Sequence, residues 1–210
     1  RQPCLKTAGP TRFFSYVYRK AMIMDTTTLS ISDPTHTPIA GLKVCKLNNG
    51  REPMWFTSQD EVDTPFAPSS YEKNDSNKQN LDVNCSEAYL KFFTELDTWA
   101  VEYITLNSLR LLGAELPLEK VSELYKPCVK RMAFYDPKLR TKITTEGLNK
   151  TRYWTLDKRA RLEPGCWETT VFKTRVRIPY MYTTASSIGF TLDCTDVQVC
   201  KEFSPTACPF

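Results

Sequence analysis

The chain has 210 residues, 28 Lys and Arg against 24 Asp and Glu (net +4), 41% hydrophobic and 12% aromatic content, 7 Gly and 14 Pro. This suits one domain with a real core, alone or with an extension, and excludes low-complexity sequence. No apolar run reaches the roughly 18 residues that a membrane-spanning helix needs, so no such span is expected.

The chain opens on Arg1-Gln2-Pro3-Cys4 and not on methionine. That is expected of a processed or trimmed product, with any targeting segment lying outside it. Residues 1–11 read as a loose arm. Short strands are expected at 11–17 and 29–32, broken by turns at Asp33-Pro34 and Thr37-Pro38. Residues 1–40 are thus an N-terminal arm or extension, serving a partner or folding as a flap. Residues 41–47 and 53–57 make a hairpin across Asn48-Asn49-Gly50, because Asn and Gly tolerate positive φ. Trp55 and Phe56 are adjacent there, so a strand must send them to opposite faces. One enters the core and the other meets solvent or ligand; the pattern leaves open which. Residues 59–78 form an acidic, turn-rich loop with Phe66 and Tyr71 as anchors. Residues 78–84 are a third strand with Leu81 and Val83 inward.

A long helix follows. Ser86 is placed as its N-cap and Glu87 in its first turn. Tyr89, Phe92, Phe93, Leu96, Trp99, Ala100, Tyr103 and Ile104 recur at three- and four-residue steps, one apolar stripe that ends near Gly113. The stripe reads as core packing. Residues 118–125 form a second, short helix, stopped at Lys126-Pro127.

The last third alternates with a period of two. Lys138, Arg140 and Lys142 take the even positions of 138–143, and Leu139, Thr141 and Ile143 the odd ones. In 172–178, Lys173, Arg175 and Arg177 alternate with a mostly apolar set. Each segment is a strand that buries one face and carries cations on the other, about 6.8 Å apart. Between 130 and 177 there are 13 Lys and Arg against 5 Asp and Glu, a local +8, so the rest of the chain is −4. The charge therefore sits on strands of a β-barrel whose outer face would hold single-stranded nucleic acid. Residues 152–156 are a further strand, followed by a basic turn with Lys158, Arg159 and Arg161. A long strand spans 167–178. In the last strand, 189–201, the apolar phase slips from Phe190, Leu192 and Cys194 to Val197 and Val199, which indicates a β-bulge.

Eight cysteines contain no C-x-x-C pair, and His36 is the only histidine. Zinc sites need closely spaced ligands, so no metal is expected. The cysteines read as free thiols of a reducing compartment; the competing reading is a secreted, disulfide-linked β-domain, to which three N-x-S/T triplets at Asn74, Asn84 and Asn149 would belong. One histidine leaves no Ser/His or Cys/His apparatus, and no phosphate-cradling glycine motif is present. Neither an enzyme nor a cofactor is expected.

Several motifs in order resemble a known family. They are Pro53-Met54-Trp55-Phe56-Thr57, Thr64-Pro65-Phe66, Leu124-Tyr125-Lys126-Pro127-Cys128-Val129-Lys130 and Tyr135-Asp136-Pro137-Lys138-Leu139-Arg140-Thr141-Lys142. A closing hairpin follows, through Val176-Arg177-Ile178-Pro179-Tyr180, Ser187-Ile188-Gly189-Phe190-Thr191-Leu192 and Val197-Gln198-Val199. Over 40–203 the chain resembles the OB-fold single-stranded DNA-binding proteins of large DNA viruses and some tailed phages. The resemblance implies a mainly-β α+β fold, an OB-like five-stranded barrel with a long inserted helix, over residues 41–203. It also implies a role in replication, repair or recombination, in a nucleus or viral replication compartment. Proteins of that family often carry an acidic C-terminal tail that recruits replication proteins. The tail here, 204–210, has no acidic residue, which puts recruitment by that route in doubt.

The expected phosphate contacts are Lys138, Arg140, Lys142, Lys158, Arg159, Arg161, Lys173, Arg175 and Arg177. The plain alternative for each is a solvated strand face or charged loop, since Lys and Arg also guard exposed edges. The expected stacking residues are Trp55, Phe56, Tyr153, Trp154, Tyr180 and Tyr182, with about half of them belonging to the core. The expected partner is single-stranded DNA or RNA, alongside a homo-oligomer or replication proteins. The alternative is a structural or interaction protein on the same fold, docked in a large assembly.

Overall fold

The two alternating basic segments become long strands of one curled sheet. The computed structural model describes residues 25–70 and 77–203. The expected arm 1–11, the strand at 11–17, Tyr71 and the tail lie outside them. After a single 3-10 turn at Thr26–Thr28 come β1 (Leu29–Ile31), β2 (Thr35–His36), β3 (Lys43–Asn49), β4 (Glu52–Thr57) and β5 (Lys78–Asn84). Three helices follow: α1 (Glu87–Leu106), α2 (Ser108–Leu112) and α3 (Leu118–Leu124). Then come β6 (Val129–Met132), β7 (Tyr135–Thr144), β8 (Arg152–Trp154), β9 (Ala160–Arg161) and β10 (Thr170–Ile178). The chain closes with β11 (Tyr180–Thr183), β12 (Ile188–Phe190) and β13 (Asp193–Glu202).

The main path of the sheet is β12-β11-β3-β4-β10-β13-β7-β5. It curls into a half-barrel, giving the expected mainly-β, OB-like α+β architecture. β10 alternates without a break: Phe172, Thr174, Val176 and Ile178 are buried, and Lys173, Arg175 and Arg177 face outward. β13 carries the expected bulge. Arg175 pairs with Asp196 and the next residue, Val176, with Cys194, so Thr195 is the extra residue. That is where the apolar phase of the sequence slips. The expected last strand is broken earlier, however, into β12 and β13. Leu192 is buried between them, and its carbonyl accepts a hydrogen bond from the Lys142 amide at 2.7 Å.

β3 is edged on one side by β4 and β11, and on the other by β1 and β2, which run antiparallel to it from Leu29 to His36. Leu29 and Ile31 are buried there, and Arg110 of α2 clasps the segment. Its guanidinium donates to Asp33 Oδ1 at 2.7 Å and to the Ile31 carbonyl at 3.2 Å.

The helical stripe closes over the inner face. Phe56 of β4 sits in a nest of rings, with centroids 4.8 Å from Tyr89, 4.7 Å from Phe92 and 5.2 Å from Phe93. The buried Tyr89 hydroxyl shares a 2.7 Å hydrogen bond with Thr174 of β10. The single expected helix is two: α1 stops at Asn107, whose side-chain amide donates to the Tyr103 carbonyl, and α2 runs on to Gly113 at φ +85°. Glycine suits that left-handed position because it has no Cβ. Ser86 stands at the N-cap as expected, but its hydroxyl donates to Asp60 Oδ2 at 2.6 Å and not to the helix. The 59–70 loop is not anchored by Phe66, which is 64% exposed. Its anchors are Val62, bridged to Phe172, and the buried Thr64.

Candidate nucleic-acid interface

The two cationic strands do not touch. β13 lies between them, and its outward side chains are partly acidic. Asp193 stands in register with Arg177 of β10 on one side and Lys142 of β7 on the other. Its carboxylate takes the Arg177 guanidinium at 3.0 Å. On the far side of β7, Asp82 of β5 pairs with Arg140 and accepts from its Nε at 2.6 Å and its Nη2 at 2.7 Å. That hydrogen bonding holds the Asp82 carboxyl below the usual carboxylate range, against the opposing effect of burial. Two of the six strand cations are therefore already partnered. Lys142, Lys173 and Arg175 have no ion pair among the described residues. Lys138 lies over two aromatic rings, 5.2 Å from the Phe66 centroid and 5.5 Å from that of Tyr135.

The basic turn is largely committed elsewhere. Arg161 holds Glu202 at 2.6 Å, and the same carboxylate accepts from the Gly165 amide, so it ties β9 to the end of β13. Arg159 pairs with Asp157 at 2.7 Å on an exposed turn, and Lys158 sits there at φ +62°.

The aromatic pairs divide as strand geometry requires. Phe56 and Tyr153 are buried, at 4% and 7% exposure, so both leave the stacking set. Phe56 packs on α1, and Tyr153 meets Trp167 edge-on at 6.1 Å. Trp55 and Trp154 take the opposite, outer face. The Arg175 guanidinium lies 4.2 Å from the Trp55 ring centroid, and Arg152 lies 5.8 Å from that of Trp154. Tyr180 is exposed on β11, past the Pro179 bend, in register with Lys46. Tyr182 lies over Gly189: a Cβ added there would sit 2.8 Å from the Tyr182 hydroxyl.

Four further residues, Asp196, Arg152, Lys150 and Lys78, complete the face and were not among the expected contacts. Asp196 accepts from Arg152 Nε at 2.8 Å and from Trp154 Nε1 at 3.0 Å, and so orients both side chains. Arg152 and Trp154 are two apart on one strand, so their shared face was readable; their carboxylate partner was not. Lys150 and Lys78 line, with Trp55, Arg177 and Arg152, an open cleft of about 490 Å³ beneath the 146–149 loop. The loop is closed at its base by Thr151, which donates from its backbone to the Thr144 carbonyl and from its hydroxyl to the Cys194 carbonyl. Nε of Arg175 and Nε of Arg177 are buried and lack an acceptor among the described residues.

Six cysteines in the described residues are free thiols. Burial pushes Cys45 up to about 11 and Cys85 up to about 12, so neither is a thiolate near neutral pH, the form that attacks or binds metal. Among the described residues no group of His, Cys, Asp and Glu could hold a metal ion, and no helix is long and apolar enough to cross a membrane.

The class defined by this geometry is an OB-like domain with a mixed cationic and aromatic outer face. No protein-family model matches the sequence, and no curated protein does. Among solved structures, the chain is similar to gp2.5, a single-stranded DNA-binding protein encoded by bacteriophage T7, with TM-score 0.47 and 12% identity, over 75% of this chain and 91% of that one. It is also similar to the single-stranded DNA-binding protein of bacteriophage Enc34 in complex with single-stranded DNA, with TM-score 0.44 and 8% identity, over 85% of this chain and 99% of that one.

Proposed function

We propose that the chain binds single-stranded DNA without sequence preference, across the outer face of β4, β10, β13, β7 and β8, in replication, repair or recombination. The observation that carries the reading is the pair of arginine–tryptophan contacts, Arg175 over Trp55 at 4.2 Å and Arg152 near Trp154 at 5.8 Å, set on one face beside the cleft. Guanidinium planes and indoles both stack bases, and every base has a π-face, so such a surface is sequence-tolerant. It needs unpaired bases, because a duplex hides those faces. Lys142, Lys173 and Arg175 supply charge that no carboxylate of the described residues has claimed.

The test is fluorescence anisotropy of a labelled oligo-dT titrated with protein at low and high salt, with duplex DNA and oligo-rU as competitors. Tight binding that salt weakens and duplex fails to displace is the expected result, since neutralised phosphates release counterions. The rU arm sets DNA against RNA. No binding at low salt would overturn the reading and reassign the face to a protein partner.

A further inference from the structure

The β6–β7 hairpin ends in an unusual tip. Met132 pairs with Tyr135, so Ala133 and Phe134 make the turn, where Gly, Asn or Asp would be ordinary. Phe134 is 94% exposed, Tyr135 65% and Met132 54%. Phe66 stands close by at 64% exposure, held by a turn in which Thr64 Oγ1 donates to the Phe66 carbonyl at 2.8 Å. Lys138 Nζ lies over both Phe66 and Tyr135, which ties the loop to the hairpin. Such a cluster of rings in water gains nothing for the fold.

The charge around it says what it meets. Lys130 and Lys138 stand directly opposite each other on β6 and β7. Like charges facing across a strand pair destabilise the pair unless an anion relieves them. Among the described residues neither has an ion pair, and nor does Arg131 at the register shift between them and the tip. The nearby carboxylate of Asp82 feels both lysines but is hydrogen-bonded to Arg140. From Thr144 at the cleft, the outward face of β7 leads through Lys142 and Arg140 to Lys138, about 20 Å at roughly 3.4 Å per residue. A strand leaving the cleft along β7 therefore arrives at the tip.

We propose that this tip is a second contact for the same single strand: Phe134 and Tyr135 stack a base that has left the cleft, while Lys130 and Lys138 take its phosphate. The proposal rests on the single-strand reading above. It is tested with oligo-dT of about 4 and about 16 nucleotides, the range of site sizes for such folds. Phe134→Ala is the variant, and its exposed ring makes no ring contact that folding needs. The expected result is wild-type affinity for the short oligonucleotide and about a 5- to 100-fold loss for the long one, with recovery in Phe134→Trp. If wild type binds both lengths and Phe134→Ala binds them equally well, the tip is off the path and the proposal fails. If that variant instead lowers the protein's sedimentation mass with binding unchanged, the tip joins copies of the chain, and the proposal again fails. Absence of binding by wild type at both lengths would overturn the single-strand reading itself.

Discussion

Arg175→Ala removes the arginine of β10 that the described carboxylates leave unclaimed. Within the fold its guanidinium contributes a stack on Trp55 at 4.2 Å, beside half-exposed groups. Such a contact is worth about 0.5–1 kcal/mol at an exposed site, so the melting temperature should fall by about 1–4 °C at this chain length. On the nucleic acid the loss is larger. One charged hydrogen bond to phosphate contributes about 1.5–3 kcal/mol, about 10- to 100-fold in affinity at low salt. One fewer phosphate also flattens the salt slope by about 0.7 for a single strand. Between 50 and 200 mM salt the deficit should therefore shrink by about 2.5-fold. The assay is anisotropy at four or five salt concentrations, with thermal unfolding alongside. Arg175→Lys keeps the charge but not the planar stack, so it should hold the slope and recover part of the affinity. A wild-type slope in a folded Arg175→Ala protein would refute the placement of the strand over β10.

Trp154→Ala should weaken oligo-dT binding by about 1–3 kcal/mol and leave the salt slope alone, because stacking moves no counterions; a changed slope would mean that Arg152, freed from its ring, is what the strand had contacted. Phe56→Ala should cost about 3–5 kcal/mol by urea unfolding, the range for emptying a large aromatic from a packed core; a cost below 1 kcal/mol would contradict the ring nest on α1. Asp82→Asn should cost about 1–2 kcal/mol at pH 7, between exposed and fully buried pairs, because the bonded side chains are only 31% and 21% exposed. Arg140 holds the native Asp82 pKa below its unfolded value, so this stability is fully present above about pH 4 and fades as the pH falls through the lowered native value. The gap between wild type and Asp82→Asn should accordingly narrow toward pH 3, and a gap independent of pH would show that it is not electrostatic.

The strand faces were legible because their signal is local. A period of two is written in adjacent residues, so β7, β10 and the 78–84 strand could be read directly, and the bulge announced itself as a phase slip in apolar residues. The split of each aromatic pair was equally forced, but its direction was not. Phe56 faces inward because α1 brings Tyr89, Phe92 and Phe93 to that side, a fact of packing between distant segments. The breaks were hidden for similar reasons. Asn107 ends α1 inside an unbroken apolar stripe, and Leu192 separates β12 from β13 by docking on β7. Phe66 read as an anchor because an aromatic in an acidic loop usually is one; here Val62 and Thr64 hold the loop and leave the ring outside.

Charge pairing was the least legible feature, and it changes what the local +8 means. Arg140 meets a carboxylate 58 residues away, Arg152 one 44 away and Arg177 one 16 away, all through strand register and not through sequence spacing. A charge count treats these arginines as free. In the fold each one must exchange a carboxylate for a phosphate before it contributes, and the exchange returns little net Coulomb energy on a solvated face. The carboxylates do something else: Asp196 holds the Arg152 guanidinium and the Trp154 indole in fixed directions, so less side-chain freedom remains to be lost when a base arrives. Affinity on this face should thus come chiefly from the unpaired Lys142, Lys173 and Arg175. The orientation of the stacking groups should come from the paired arginines and their acids. A single strand on this face would then be held firmly at low salt and released readily as salt rises.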